Sequence, residues 1–120
     1  MSRPSSRNHE GVPLIFDVCV SGFYMWCRNR VKSLGYIPIL APYKYDGQII
    51  TFAKMVNGIV VTTDKDFIKF EKSIILRHDK YEKMYTQMVK RLHEIKVEED
   101  KWYNGVLKRF YLFSDVKLDG

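Results

Sequence analysis

Short apolar runs alternate with longer amphipathic stretches along this chain. Leu14-Ile15-Phe16 is closed by Asp17; it is too short for a buried helix and suits a central strand. From Ser21 to about Leu34, Cys27, Val31 and Leu34 recur on one face, with Phe23 and Tyr24 a turn earlier. That spacing predicts a helix with Ser21 as N-cap and Gly35 as its stop. Tyr36 to Leu40 reads as a second strand, which Pro38 assigns to an edge or a bulge. Ala41 to Tyr45 reads as a loop. Asp46 stands at an N-cap position before Ile49, Ile50, Ala53 and Val56, and Asn57-Gly58 ends that helix.

The run Ile59-Val60-Val61-Thr62 is β-branched throughout. It has the pattern of a strand covered on both faces, as in a parallel sheet. After Thr63-Asp64-Lys65-Asp66-Phe67 and a short helical turn, Ser73-Ile74-Ile75-Leu76 predicts a further strand. Asp79 and Glu82 form a capping-box pattern ahead of the longest helix, about 79–94. Tyr81, Met84, Tyr85, Met88, Leu92 and Ile95 make its apolar stripe, and Lys80, Lys83, Lys90 and Arg91 its solvated face. A short helix and a final strand near Phe110–Phe113 complete the reading. Strands alternating with helices predict an α/β fold: a three-layer α/β/α sandwich with a mostly parallel central sheet. Ligands in such folds bind at the carboxyl ends of the strands, where the strand order switches.

Composition narrows the class. A chain of 120 residues, 46% hydrophobic and 28% charged, is expected to be one globular domain. Residues 1–13 read as a flexible basic tail, 14–120 as the domain, and 81–120 as a C-terminal extension offering a cover or a dimer surface. No run reaches the roughly 18 apolar residues of a membrane span. Asp17 also interrupts the only stretch resembling a secretory core, so a cytoplasmic protein without membrane partners is expected. Cys19 and Cys27 are too few for a disulfide framework or a four-cysteine zinc site, and read as buried small apolar residues. Only a hyperthermophilic host would suggest a bridge between them. His9, His78 and His93 lack ligand spacing and read as surface residues. The formal charge of +6 is compatible with a polyanionic partner.

The acids carry the chemistry. Between Gly11 and Phe70 they are Asp17, Asp46, Asp64 and Asp66, with no glutamate among them. Glutamate is the common acid of solvated helix faces, so these acids are not ordinary surface charge. Asp17 follows the first strand, Asp64 and Asp66 the third, and Asp46 opens a helix. In a parallel sheet those places share one edge. Clustered carboxylates repel unless a cation is present, and hard oxygen ligands suit Mg²⁺ or Mn²⁺. Each aspartate also has a simpler explanation as a cap, turn or strand-end residue. Their joint placement favours a site.

The run from Asp46 to Phe67, with D-G-Q-I-I-T-F-A at its start and G-I-V-V-T-T-D-K-D-F at its end, resembles the PIN-domain superfamily. It is most similar to a small PIN-like family with a T-x-D-x-D-F motif, over about Leu14 to Leu76. That resemblance implies a metal-dependent ribonuclease, often in toxin–antitoxin settings, with RNA a better expectation than DNA. It implies Asp17, Asp46, Asp64 and Asp66 as catalytic acids, with Asp17, Asp64 and Asp66 on the metal. Lys65, Lys44 and Arg28 would hold the phosphate backbone, and Tyr43 and Tyr45 would stack on bases. A homodimer and an antitoxin-like protein are the further partners expected. The chain departs from the family where Val18-Cys19-Val20 follows Asp17, since relatives commonly carry an acid or amide there. That departure supports an alternative, a catalytically silent PIN-like module binding nucleic acid or protein. A receiver domain would want an acidic pair at the first strand's end, and a haloacid-dehalogenase-type phosphatase a D-x-D. Asp17-Val18-Cys19 supplies neither.

Overall fold

Each short apolar run becomes a strand of one sheet. The computed structural model describes residues 11–96. The strands are β1 (Pro13–Phe16), β2 (Ile37–Leu40), β3 (Ile59–Thr62) and β4 (Ser73–Ile75). They lie in the order β2-β1-β3-β4, all parallel. Leu14 pairs with Pro38 on one side and Ile59 on the other. Pro38 thus occupies an edge strand, where its missing N–H breaks no ladder. β1 begins at Pro13, inside the segment expected to be tail, and Gly11 N–H already bonds Gly35 O at 2.7 Å.

Helices α1 (Ser21–Ser33), α2 (Asp46–Val56) and α3 (81–96) cover the sheet. Strand side chains alternate between two cores, as the pleat requires. Leu14, Phe16, Ile59, Val61 and Ile74 meet Phe23, Cys27 and Val31 of α1 and Met84, Met88, Leu92 and Ile95 of α3. Ile15 and Val60 meet Ile49 and Ala53 of α2, together with Phe67 and Phe70. The sheet therefore has helices on both faces, an α/β architecture compatible with three layers. The predicted strand near Phe110–Phe113 lies outside the described residues.

Helix ends differ from expectation in instructive ways. Val18–Val20 form a 3₁₀ turn directly after Asp17, with Val20 N–H bonded to Asp17 O at 2.9 Å. Val20 thereby becomes the N-cap of α1, and Ser21 lies inside the helix. Leu34, expected on the buried face, is exposed, because the chain leaves the helix there. Gly35, at φ 97°, supplies the left-handed turn. Tyr45 is extended and its carbonyl accepts Ile49 N–H at 3.1 Å, so Tyr45 is the N-cap of α2 and Asp46 its first residue. The Asp79–Glu82 box does not form. The Asp79 carboxylate accepts its neighbour's N–H, from Lys80 at 2.7 Å, and α3 starts at 81.

The connection from α2 into β3 sets how closely the layers approach. Asn57 takes the left-handed conformation, φ 56°. Gly58 follows, and a Cβ there would lie 2.7 Å from Ile15 Cδ1 and 3.0 Å from Pro13 O. Only glycine lets the start of β3 close against β1 at that spacing.

Candidate functional site at the strand ends

The topology creates a switch point. From β1 the chain crosses to β2 on one side, while β3 and β4 lie on the other. The crevice between the carboxyl ends of β1 and β3 is where such sheets bind ligands. Asp17 leaves β1 there, and Thr62, Thr63 and Asp64 leave β3 there. The Asp17 N–H continues the ladder to Val61 O at 2.9 Å, which fixes its position.

One hydroxyl joins the two strand ends. Thr62 Oγ1 donates to Asp17 Oδ2 at 2.8 Å and accepts Asp64 N–H at 2.9 Å. Asp17 is only 8% exposed, so this bond counters the cost of burying its charge. The Cys19 thiol adds a weaker donor to the same oxygen at 3.3 Å, and lies 3.3 Å from Thr63 Oγ1. Asp64 Oδ1 in turn accepts Asp66 N–H at 2.9 Å, opening the 3₁₀ turn Lys65–Lys69. Asp17, Asp64 and Asp66 are therefore linked in one continuous network at one edge.

Asp46 stands outside that hydrogen-bond network, paired with Lys69. Its Oδ2 meets Lys69 Nζ at 2.8 Å, and its Oδ1 accepts Gly47 N–H at 2.8 Å. The hydrogen bond from Lys69 holds the Asp46 carboxyl below the usual carboxylate range, and Asp46 raises the Lys69 ammonium in return. Asp66 and Asp64 also raise Lys69 through their charge. The ammonium thus pairs with Asp46 and is influenced by the charge of Asp64 and Asp66. The lowered Asp46 stabilises the fold above the ordinary value of 3.8 and loses that effect as pH falls through its folded value. The raised Lys69 contributes below its ordinary 10.5 and loses that as pH rises through its folded value. The pair is whole between those limits. In a carboxyl NMR titration, Asp46 is expected to titrate below 3.8, and Lys69→Met to return it upward.

Lys65, Lys44, Tyr43 and Tyr45 are all exposed. Arg28 is exposed on α1, and nothing among the described residues ties it to the acids. The residues that sequence patterning overlooked are Thr62, Thr63, Cys19 and Lys69. Cys19 is exposed, whereas Cys27 is buried and free, as expected for a small apolar residue. Burial pushes the Cys27 thiol up to about 12. With iodoacetamide at mild alkaline pH, one thiol per native molecule is expected to react, Cys19, with Cys27 following only on unfolding. Mass spectrometry of digested peptides reads the difference.

Among the described residues, no three His, Cys, Asp or Glu side chains converge closely enough to hold a metal ion by themselves. Mg²⁺ does not need such a cage, since it commonly takes one or two carboxylates and completes its shell with waters and phosphate. Asp17 and Asp64 carry hard oxygens of the type that such an ion takes. Comparison with protein-family models, with curated proteins and with solved structures finds no match. The strand-end geometry therefore carries the functional argument.

Proposed function

We propose that this protein is a PIN-like, metal-dependent nuclease acting on single-stranded RNA. The observation that supports the reading most directly is the buried Asp17 carboxylate, tied through Thr62 to the Asp64 backbone at the switch point of a parallel sheet. Asp17 and Asp64 would hold Mg²⁺ or Mn²⁺, with Asp66 beside them. When bound, such an ion supplies an activated water and neutralises charge on the phosphodiester. Thr62 fixes the direction of the Asp17 carboxylate. The Asp64–Asp66 turn keeps two further acids at the mouth of the crevice. Lys69 holds Asp46 ionised, and with the ammonium in place the carboxylate would orient a water. Lys65, between Asp64 and Asp66 in sequence, and Lys44 would meet phosphate oxygens.

A second reading has its own support. Cys19 stands where a further acid would strengthen metal binding, and Lys69 already neutralises part of the acidic edge. A silent nucleic-acid- or protein-binding module would keep these features. Cleavage of single-stranded RNA with Mg²⁺ or Mn²⁺, run beside Asp64→Asn, separates the two. Asparagine retains an oxygen for the Asp66 N–H, so the variant keeps its turn. Metal-dependent cutting and a Mn²⁺-induced rise in melting temperature, both abolished in the variant, are the expected results. Cutting equal in both proteins, or none with any metal, overturns the nuclease reading.

A further inference from the structure

Beside Asp46 the surface forms a shallow, open cleft of ≈ 610 Å³ that runs along α2. Tyr43, Tyr45, Gln48, Thr51, Phe52 and Met55 line it. Tyr45, just ahead of α2, is 69% exposed, and Met55, in its last turn, 78%. Tyr43 is braced edge-on against Phe52, with centroids 5.9 Å apart at 63°. The exposed Thr51 hydroxyl donates to Gly47 O one turn back in the helix at 2.9 Å. Among the described residues the Gln48 amide has no hydrogen-bond partner, so both its donor and its acceptor are available to a ligand.

We propose that this cleft is a base-binding subsite: an unpaired nucleobase of a single-stranded nucleic acid stacks on Tyr45, with the Gln48 amide on its polar edge. The proposal deepens the nuclease reading and rests on it for the direction in which the strand runs. Three observations favour this occupant. Exposed aromatic rings beside an amide match a flat ring with a polar rim, and the stacking is tolerant of base identity. Lys44, exposed between the two tyrosines in sequence, would supply a cation for the adjoining phosphate. Asp46 at the cleft wall would repel that phosphate, but Lys69 neutralises it at 2.8 Å. A duplex buries its base faces and cannot use the cleft, so the preference is for single strands.

The test is fluorescence anisotropy of labelled oligonucleotides with the full chain in EDTA, where no cleavage occurs. The probes are oligouridine, oligothymidine, a base-free deoxyribose phosphate oligomer and an RNA duplex. The two base-bearing single strands are expected to bind roughly tenfold or more tightly than the base-free strand. Tyr45→Ala should remove that advantage at unchanged melting temperature, and Tyr45→Phe should keep it, because stacking needs the ring and not the hydroxyl. The ratio between oligouridine and oligothymidine separates RNA from DNA as the source of the base. Equal binding of the base-free strand, equal binding of the duplex, no binding of any single strand, or an unaffected Tyr45→Ala overturns the proposal. These outcomes are independent of cutting. A protein that stacks bases yet never cleaves loses the nuclease reading alone, and one that cleaves without a base preference loses only the subsite.

Discussion

Phe16→Ala is expected to destabilise the protein by about 3–5 kcal/mol, a large fraction of the roughly 5–15 kcal/mol that holds an ordinary domain folded. Phe16 is fully buried at the end of β1. Its ring meets Phe23 at 6.1 Å and Tyr24 at 5.3 Å, both on α1. Truncation would open a cavity between the sheet and that helix, and the surrounding side chains close only part of such a space. Chemical denaturation followed by circular dichroism measures the loss. Phe16→Leu, which refills most of the volume, should recover a large share. An alanine variant with an unchanged midpoint would mean that α1 does not depend on β1 for its packing.

Thr62→Val is the sharpest test of the strand-end network. Valine matches threonine in shape, so the core is preserved and only the hydroxyl is lost. That hydroxyl serves a buried carboxylate and a backbone N–H together. Leaving such groups without a partner costs about 1–3 kcal/mol, and more for a charge. The deficit is expected to shrink in Asp17→Asn/Thr62→Val, because a neutral amide tolerates burial better than a carboxylate. A double-mutant cycle by denaturant titration gives the coupling directly. Additive effects of the two substitutions would show that Thr62 does not support Asp17. Thr62→Val should also impair the proposed cleavage, since Asp17 would lose the bond that aims it.

Much of the architecture is legible in the residue pattern because burial on both faces leaves a plain mark. Leu14-Ile15-Phe16 and Ile59-Val60-Val61 have no polar member, and only a covered sheet accommodates that. Pro38 likewise announces an edge. The site was only partly legible. The strand-end aspartates stand out against a segment without glutamate, but Thr62 looks like one more β-branched strand residue. Its role depends on a partner, Asp17, that only the sheet register brings near. Lys69 is hidden for the same reason: its bond to Asp46 spans two elements with β3 between them. Cys19 misleads in the opposite sense, since a free cysteine is usually interior. The turn after Asp17 puts it outside. The helix starts shift because a 3₁₀ turn or an extended neighbour takes the capping position, a choice made by backbone geometry rather than side-chain type.

The all-parallel order also bears on how the chain is made. Leu14 pairs with Pro38 and Ile59, both synthesised after it, and no strand can fold back on its neighbour through a tight hairpin. During translation the oily Leu14-Ile15-Phe16 segment therefore leaves the ribosome before either of its described sheet partners, and the second emerges only after the whole of α2. Such delayed pairing is slow and leaves sticky backbone uncovered in the interval. Pauses or chaperone capture should accordingly matter most while the stretch ahead of Ile59 is still inside the exit tunnel.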